Sequence, residues 1–322
     1  MRIGDITKTK SKGQYRLFGT EYSLRETIAG LSFLAPCFLL SVVFVFLPIA
    51  ISLSYAFTDA NMLRLDSVNF IGFDNFVRLF QDASIGKALT NTLIFVGCVI
   101  PLQFGTALGL ALILNHIKRF NTFLRWAFFC PVMLSLAVTS MLWMNLLNPQ
   151  EGLINALILA LGGNPMMFLE DPDQAMGCII FISAWQGAGY QMLILLSGLK
   201  NIPKELYEAA EIDGCSPMGI FFKIVLPLSK AALASIGLMF AVTVWNDYST
   251  VKIYITNPDQ VNFQYQLRNM IMDGDTPTTQ YSVSQNTLFY AAIVCAILPF
   301  MALYPFLQKY FVKGVNIGAV KE

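Results

Sequence analysis

Charged residues are scarce in this 322-residue chain, since Asp, Glu, Lys and Arg together make up only 13% of it. A water-soluble domain typically carries about 25% charged residues. Hydrophobic residues reach 56%, which leaves too little polar surface to cover a soluble globule. The 21 basic and 20 acidic residues give no basic excess for neutralising nucleic-acid phosphates. These shortages exclude an ordinary soluble enzyme, a disordered chain and a nucleic-acid-binding protein, and they favour a polytopic membrane protein.

Motifs for metal, redox and nucleotide chemistry are also missing. The six cysteines form no C-x-x-C pair, and five of them lie inside apolar runs, where they act as small hydrophobic residues. The single histidine, His116, stands beside Lys118 and Arg119 and is predicted to be a solvated loop residue. No glycine-rich phosphate-binding loop occurs in the sequence. We therefore expect no catalytic residue, no metal site and no cofactor bound by this chain.

Apolar runs are what the sequence has in abundance. A helix of about 20 apolar residues crosses a bilayer, and six runs are long enough to do so, although the fifth has a polar outer half. The six predicted spans are approximately Ile28–Phe57, Ala88–Asn115, Trp126–Asn148, Ala175–Leu199, Ala231–Ile255 and Leu288–Phe306. The sequence therefore predicts an all-α integral membrane protein.

The distribution of Lys and Arg orients these spans. Sixteen of the 21 lie in the N-terminal segment, in the second-to-third and fourth-to-fifth connections, and at the C-terminus. The other side has five, namely Arg64, Arg78, Lys87, Lys252 and Arg268. Because basic residues accumulate on the cytoplasmic side, both termini are predicted to be cytoplasmic. The long connections 58–87, 149–174 and 256–287 are then external, and they carry several acidic residues.

The connection between the fourth and fifth spans is the longest cytoplasmic one. Its sequence predicts two short helices joined by a turn at Asp213-Gly214, with Pro203 at the start of the first helix and Ser216 capping the second. Pro227 is predicted to end the second helix. An amphipathic helix-turn-helix of this kind either docks on a partner or lies on the lipid surface, and the local pattern leaves both possibilities open.

At this connection the sequence resembles the permease subunits of binding-protein-dependent ABC sugar importers, of the maltose-permease type. The resemblance lies in the EAA loop, residues 200–228, and the wider similarity runs from about residue 28 onward. It implies a type I ABC importer permease fold in which this loop fits a cleft on a separate ATPase. The residues that carry this implied coupling role are Glu208, Ala209, Ala210, Asp213, Gly214, Ile224, Leu226 and Pro227.

The resemblance also implies the organisation of the chain and its partners. Residues 1–27 would form a cytoplasmic segment, 28–87 the first span with its external loop, 88–308 the permease core, and 309–322 a cytoplasmic tail. The first half is similar to the larger maltose permease subunit and the second half to the smaller one, so either role is open, as is entry of the tail into the ATPase pair. The implied partners are a second permease, two copies of a cytoplasmic ATPase that holds ATP and Mg, an extracytoplasmic solute-binding protein, the lipid bilayer and a carbohydrate. The implied location is the bacterial cytoplasmic (inner) membrane.

Polar residues within the fourth and fifth spans are candidates for lining a solute path. Buried polar groups are costly in a membrane and usually face a cavity or a protein interior. The fourth span carries a polar face at helical spacing, which also resembles the substrate-contacting helix of the family, and the fifth carries a polar group near its outer end. Helix packing is the alternative explanation for the glycine and glutamine residues. The candidates are Ser183, Gln186, Gly187, Tyr190, Thr243, Asn246 and Asp247.

The solute itself is open at this stage. A sugar is the first expectation, and an alditol, glycerol phosphate or an acidic oligosaccharide could use the same machinery. Acidic external loops, Asp247 and the scarcity of intramembrane cations argue against an anion. An ion-coupled transporter acting alone would show inverted repeats and several intramembrane charges, whereas Asp247 is the one carboxylate we find in an outer half-span. A membrane enzyme would need clustered catalytic groups, which the sequence lacks.

Overall fold

The computed structural model describes residues 14–17, 20–60, 68–117, 119–200, 202–273, 288–299, 301–302 and 305. Helices dominate this part of the chain, as predicted. The structure also contains two antiparallel four-residue strands in the N-terminal segment, β1 (Gln14–Leu17) and β2 (Thr20–Ser23), which differ from the all-α prediction. The predicted C-terminal tail, 309–322, lies outside the described residues.

The helices are numbered in chain order. They are α1 (Leu24–Ser41), α2 (Leu47–Tyr55), α3 (Asp74–Gln81), α4 (Ala83–His116), α5 (Asn121–Met133), α6 (Leu136–Leu146), α7 (Leu153–Ala160), α8 (Pro172–Lys200), α9 (Lys204–Ile212), α10 (Pro217–Ile220), α11 (Leu226–Trp245), α12 (Ser249–Tyr254), α13 (Phe263–Asp273) and α14 (Leu288–Pro299). Turns of π-helix, Val42–Phe46 and Phe221–Val225, join α1 to α2 and α10 to α11. Single 3-10 turns, Phe168–Glu170 and Pro258–Gln260, precede α8 and α13.

Three continuous helical stretches in the described chain are long and apolar enough to cross a bilayer. They are Thr27–Tyr55, Ala83–His116 and Pro172–Lys200, and they coincide with the first, second and fourth predicted spans. The 18 most apolar consecutive residues of Thr27–Tyr55 include no residue that is buried within the chain. That helix therefore offers its whole apolar surface to lipid or to another subunit.

The third predicted span is not one straight helix. Helices α5 and α6 meet at an angle of 99° across a short break, so that together they make at most one bent span. Pro131 lies in the last turn of α5, where it removes a backbone donor. Ser135 then has an extended backbone and caps α6, since its Oγ accepts a hydrogen bond from Val138 N at 3.3 Å. The apolar composition of 126–148 concealed this break.

The fifth predicted span is also shorter than its apolar run. Helix α11 ends at Trp245, and a separate six-residue helix, α12, follows after a break at 246–248. In the sixth predicted span, α14 is described from Leu288 to Pro299. Length and composition thus identify three spanning helices among the described residues, or four when the bent pair is counted, and the six predicted spans are not all resolved as single long helices.

Helices α4 and α8 form the centre of the fold, and apolar clusters lie along their length. One cluster joins Phe95 and Val99 of α4 to Ile179 and Ile182 of α8 and to Tyr254 of α12. A second cluster lies further along the same two helices and includes the residues that follow α8. A third cluster joins α3 and the start of α4 to α13 and α14. The members of the second cluster that matter below are Leu114, Leu199, Ile202, Ala210, Ile220 and Val225.

Close packing of α5 on α8 depends on a glycine. A Cβ atom placed on Gly189 would lie 2.0 Å from the carbonyl oxygen of Phe128 and 3.1 Å from the Cα of Phe129. Both neighbours are backbone atoms, so no side-chain rotation could make room. Small residues at helix contacts let backbones approach in this way, which is how membrane helices gain packing energy without a hydrophobic driving force.

We expect Gly189→Ala to lower the free energy of unfolding by about 1–3 kcal/mol, because the added methyl group forces α5 away from α8. Thermal unfolding of the purified protein in detergent micelles, followed by circular dichroism, measures the effect. Gly198→Ala on the same helix is the matched control, since nothing lies within 4 Å of its Cβ position. A Gly189→Ala protein as stable as wild type would contradict the backbone contact.

Candidate functional site

A polar cavity of about 470 Å³ lies where α4, α8 and α11 meet the chain that follows α11. Residues from the middle of α4 and α8 and from the end of α11 form part of the lining, and the break after α11, α12 and α13 contribute the rest. Six of the seven residues that the sequence singled out for a solute path line this cavity. They are Ser183, Gln186, Gly187, Thr243, Asn246 and Asp247.

The α8 wall of the cavity combines packing and polar groups. Gln186 Nε2 lies 3.3 Å from Thr139 Oγ1 and 3.5 Å from the Leu134 carbonyl, so it reaches the break between α5 and α6. A Cβ atom on Gly187 would lie 2.1 Å from Gln103 Nε2, which shows that the glycine makes room for this amide. The Ser183 hydroxyl is buried and has no hydrogen-bond partner among the described residues. This wall therefore holds a buried hydroxyl without a partner just behind its surface.

The break after α11 forms the opposite wall. Asn246 donates from Nδ2 to the Val242 carbonyl at 2.8 Å and accepts from Gln264 Nε2 at 3.2 Å. Asp247 Oδ1 accepts from the Thr250 backbone N–H at 3.0 Å, and the Asn262 side-chain amide donates to the Asp247 carbonyl. Asp247 is thus at a helix end and not at the centre of a span. That position avoids much of the roughly 2.5–3.5 kcal/mol insertion cost of a central carboxylate.

Tyr190 is the path candidate that does not line this cavity. It shares a helical face with Ser183 but lies seven residues, or about 10 Å, further along α8. Its side chain is 56% exposed on the surface of the chain. The helical spacing was read correctly, but a common face does not place every residue at the same depth.

Sequence reasoning missed the other lining residues, and three of them bear on the chemistry of the cavity. Gln103 is 2% exposed and lies in the middle of α4, so its polar side chain within a span was an available signal. Tyr248 lies in the break after α11 and follows Asp247 directly. Arg268, on α13, lines the cavity with its Cζ 4.5 Å from the centroid of the Tyr248 ring. Its distance along the chain from the other members left no local signal.

The connection 200–228 forms the predicted helix-turn-helix. Helix α9 ends at a turn in which Gly214 has φ +74° and Cys215 N donates to the Ala210 carbonyl at 2.9 Å. This left-handed conformation favours glycine. Ser216 Oγ then accepts from Gly219 N at 3.2 Å and caps α10. One detail differs, because Pro227 does not end the second helix.

The chain stays helical from α10 through the π-turn Phe221–Val225 into α11, with Pro227 in the first turn of α11. A proline at the first or second position of a helix lacks an N–H that would have no helical partner there. The π-turn immediately before it absorbs the change of hydrogen-bonding pattern. The loop and the fifth span therefore share one continuous helical backbone.

The coupling residues named above fall into an inner and an outer set. Ala210 is buried with Ile220 and Val225 in the cluster that contains the ends of α4 and α8, while Ile224 and Leu226 are half-buried. The outer set consists of Glu208, Ala209, Asp213, Gly214 and Pro227, all of which are exposed. Ile212 is 86% exposed beside them.

A helical membrane protein with a polar cavity between its spans and an anchored, exposed loop further along the same helices is built as a component of a transporter. Its residues 103–317 match the family described as "binding-protein-dependent transport system inner membrane component". The chain belongs to this family. It is accordingly a permease component of a membrane transport system, as the resemblance at the loop implied.

Individual relatives and a solved structure agree with this assignment. The chain is 32% identical over 253 residues to protein LplC of Bacillus subtilis (strain 168), covering 74% of each protein. It is 35% identical over 210 residues to the lactose transport system permease protein LacF of Rhizobium radiobacter, covering 64% of this chain and 69% of LacF. A bacterial alginate ABC transporter in complex with an alginate pentasaccharide-bound periplasmic protein is similar in fold, with a TM-score of 0.74, 20% identity, and coverage of 88% of this chain and 94% of that chain.

The cavity wall yields a prediction with a control on the same helix. We expect Gln186→Ala to raise the KM of the assembled transporter for its solute about 3- to 10-fold, the effect of losing one neutral hydrogen bond. Tyr190→Ala should leave KM within twofold, because Tyr190 lies outside the cavity. Solute-stimulated ATPase activity measures both. Equal effects of the two substitutions would assign Gln186 to packing alone.

Proposed function

We propose that this chain is the permease subunit of an ATP-driven importer of a carbohydrate, and that the cavity described above is part of the translocation path. The observation that carries the proposal is the shared scaffold. Helices α4 and α8 line the cavity with Gln103 and Gln186, and further along they join the cluster that anchors the 200–228 loop. A force applied to the loop would therefore reach the cavity through two continuous helices.

The coupling step uses the exposed side of the loop. In this proposal Glu208, Ala209, Asp213 and Gly214 contact a cleft on a separate cytoplasmic ATPase, which binds ATP and Mg. Buried Ala210, Ile220 and Val225 hold the loop to the bundle, so that closure of the ATPase pair moves the loop and the spans together. The permease itself carries out no hydrolysis and contributes positioning only.

The membrane topology we propose has six spans with both termini in the cytoplasm. Three long helices and one bent pair support four of these spans. Helices α11 and α14 would form the remaining two, and the excess of Lys and Arg in the N-terminal segment and the 200–230 connection supports the orientation. The cavity then faces the external half of the membrane. The proposed location is the bacterial cytoplasmic (inner) membrane.

The assembly we propose contains a second permease, two ATPase copies and an extracytoplasmic solute-binding protein. The bare surface of Thr27–Tyr55 supports contact with lipid or with the second permease. The chain would divide into the segment 1–27, the first span and external loop 28–87, the core 88–308 and the tail 309–322. The tail, and with it the choice between the two permease roles, is left to direct measurement of the complex.

A carbohydrate is the proposed solute class because the cavity offers several hydroxyl and amide groups at once. Gln186, Thr243 and Asn246 supply donors and acceptors that suit sugar hydroxyls, and Phe240 supplies apolar ring surface. The name of LacF, a lactose transport permease, supports the same class. An alditol or another polyol would contact the same groups, so these neutral side chains do not discriminate between a sugar and another polyol.

Gly214→Asp tests the coupling step. We expect it to reduce ATP-dependent uptake at least about 10-fold while the protein still inserts in the membrane, because a charged side chain is added to the docking surface and to a backbone at φ +74°. Uptake and co-purification of the ATPase are measured together in membrane vesicles. Full uptake by Gly214→Asp would refute the proposal.

Two further variants separate docking from folding. Ala209→Trp enlarges an exposed side chain on α9 without touching the anchoring cluster, and it should also reduce ATPase co-purification. Gly86→Asp places the same new charge on an exposed glycine in the first turn of α4, with nothing within 4 Å, and should leave uptake unchanged. An ATPase that binds Ala209→Trp as tightly as wild type would place the interface elsewhere.

A further inference from the structure

Two basic side chains converge on one aromatic ring at the wall of the cavity. Arg268 Cζ lies 4.5 Å from the centroid of Tyr248, and Lys252 Nζ lies 5.3 Å from the same centroid. Tyr265 stacks on Tyr248 with the ring centroids 5.6 Å apart and an interplanar angle of 22°. Arg268 and Tyr248 both line the cavity. Helices α12 and α13 thus bring two positive charges to the same place from positions 16 residues apart.

Neither cation is neutralised within the described part of the chain. The ion pair found there joins Lys87 to Asp259 at 2.9 Å, away from this ring. Asp247 is the carboxylate that lines the cavity, and its Oδ1 is engaged by the Thr250 N–H and not by Arg268. The formal charges of Asp247, Lys252 and Arg268 sum to +1. Asp247 and Arg268 line the cavity, and Lys252 lies beside it over the ring of Tyr248, so the excess positive charge belongs to the surroundings of this ring.

The arrangement leaves the guanidinium ready to bind. A cation over an aromatic ring is held by the negative face of the ring. The five N–H donors of arginine lie in the guanidinium plane, so a stacked arginine still presents its edge. Carboxylate and phosphate oxygens match that edge with two parallel hydrogen bonds. An arginine that only interacts with water has no reason to lie at a cavity or beside a second cation.

The rarity of cations on this side of the protein strengthens the inference. Of five basic residues assigned to the external side by the sequence, Lys252 and Arg268 meet at this one ring. Lys87 is neutralised, and Arg78 is exposed on α3. Basic residues are disfavoured on the external side of a bacterial membrane protein, which makes a pair at a solute cavity costly unless it binds something.

We propose that the cavity selects an acidic saccharide, whose carboxylate or phosphate pairs with Arg268 and Lys252 while its hydroxyls bond to Gln186 and Asn246. The proposal rests on the proposed function and narrows its solute class. It also reverses the argument from composition, in which acidic loops and Asp247 spoke against an anion. Arg268, from the 256–287 connection, lines the cavity, and Lys252 lies 5.3 Å from the ring centroid of Tyr248, which also lines it, whereas Asp247 is the acidic residue of the lining.

Equilibrium binding to the detergent-solubilised complex tests the proposal with three probes: digalacturonate, glucose 6-phosphate and maltose. Digalacturonate and maltose are both α-1,4-linked disaccharides, and they differ in charge and in the configuration at C4. We expect at least one anionic probe to bind about 10-fold or more tightly than maltose, and to weaken as salt is added. Tighter binding of digalacturonate identifies a carboxylate as the preferred anion, and tighter binding of glucose 6-phosphate identifies a phosphate. Maltose binding as tight as both anions would overturn the proposal.

Substitutions of Arg268 test whether tighter binding of the anionic probe depends on the cation at the Tyr248 ring. Arg268→Gln should weaken the anionic probe about 10- to 100-fold, the loss expected for a charge-assisted hydrogen bond, and leave maltose unchanged. Arg268→Lys keeps the charge and should lose less. Arg78→Gln removes the same charge from the external side but outside the cavity, and should have no effect. Unchanged anion binding in both Arg268 variants would refute the proposal.

Uptake distinguishes this proposal from the function on which it rests. ATP-driven uptake of maltose but of neither anion by the reconstituted wild-type complex would overturn the acidic preference and leave the importer intact. Arg268-dependent binding of the anion with no ATP-driven uptake of any of the three probes would support the anion subsite and contradict the proposed function.

Discussion

The close contact between α8 and its neighbours determines where the remaining elements of the molecule lie. In a bilayer the lipid tails are as apolar as the side chains, so helices associate by fitting closely and not by escaping from solvent. Gly189 allows the backbone of α5 to approach, and Gly187 leaves room for the amide of Gln103 on α4. Once α4 and α8 are in register, the cavity forms along one part of the pair and the apolar cluster under the loop forms along the next. The cavity and the 200–228 loop therefore rest on the same two helices.

Interrupted helices supply the polar surface of the site. Backbone groups within a membrane must find hydrogen bonds inside the protein, so a break is tolerated only where protein or a polar cavity surrounds it. The break at Ser135 is closed by its own hydroxyl and by Gln186, which reaches the Leu134 carbonyl. The break after Trp245 is closed by Asp247 and Asn262. The polar residues that are energetically costly within a span thus bond to backbone groups and also line the cavity. This double role explains why Asp247 is tolerated next to an apolar helix.

Composition and structure lead to different expectations about the charge of the solute. The sequence counts acidic residues in the external loops and a single carboxylate near the fifth span, and this count favours a neutral solute. The structure places Arg268 and Lys252 around Tyr248 at the cavity wall and leaves Asp247 engaged with a backbone N–H. Electrostatic interaction falls steeply with distance and is screened by salt within about 10 Å. Charges at the wall therefore matter more to a bound solute than the more numerous charges of the loops.

The sequence by itself determined the features that depend on neighbouring residues. The length of an apolar run decides whether a segment can cross a membrane, and proline, serine and glycine at fixed offsets decide where the first short helix of the 200–228 loop begins and ends and where the second begins. The same local patterns placed Ser183, Gln186 and Gly187 on one face of α8. Only the tertiary structure decided that α5 and α6 bend by 99°, that Tyr190 lies outside the cavity, and that Gln103 and Arg268 lie at its wall. These facts depend on contacts between residues far apart in the chain, such as Gln103 with Gly187 and Arg268 with Tyr248, and no periodicity within a single segment can encode the depth or direction at which two segments meet.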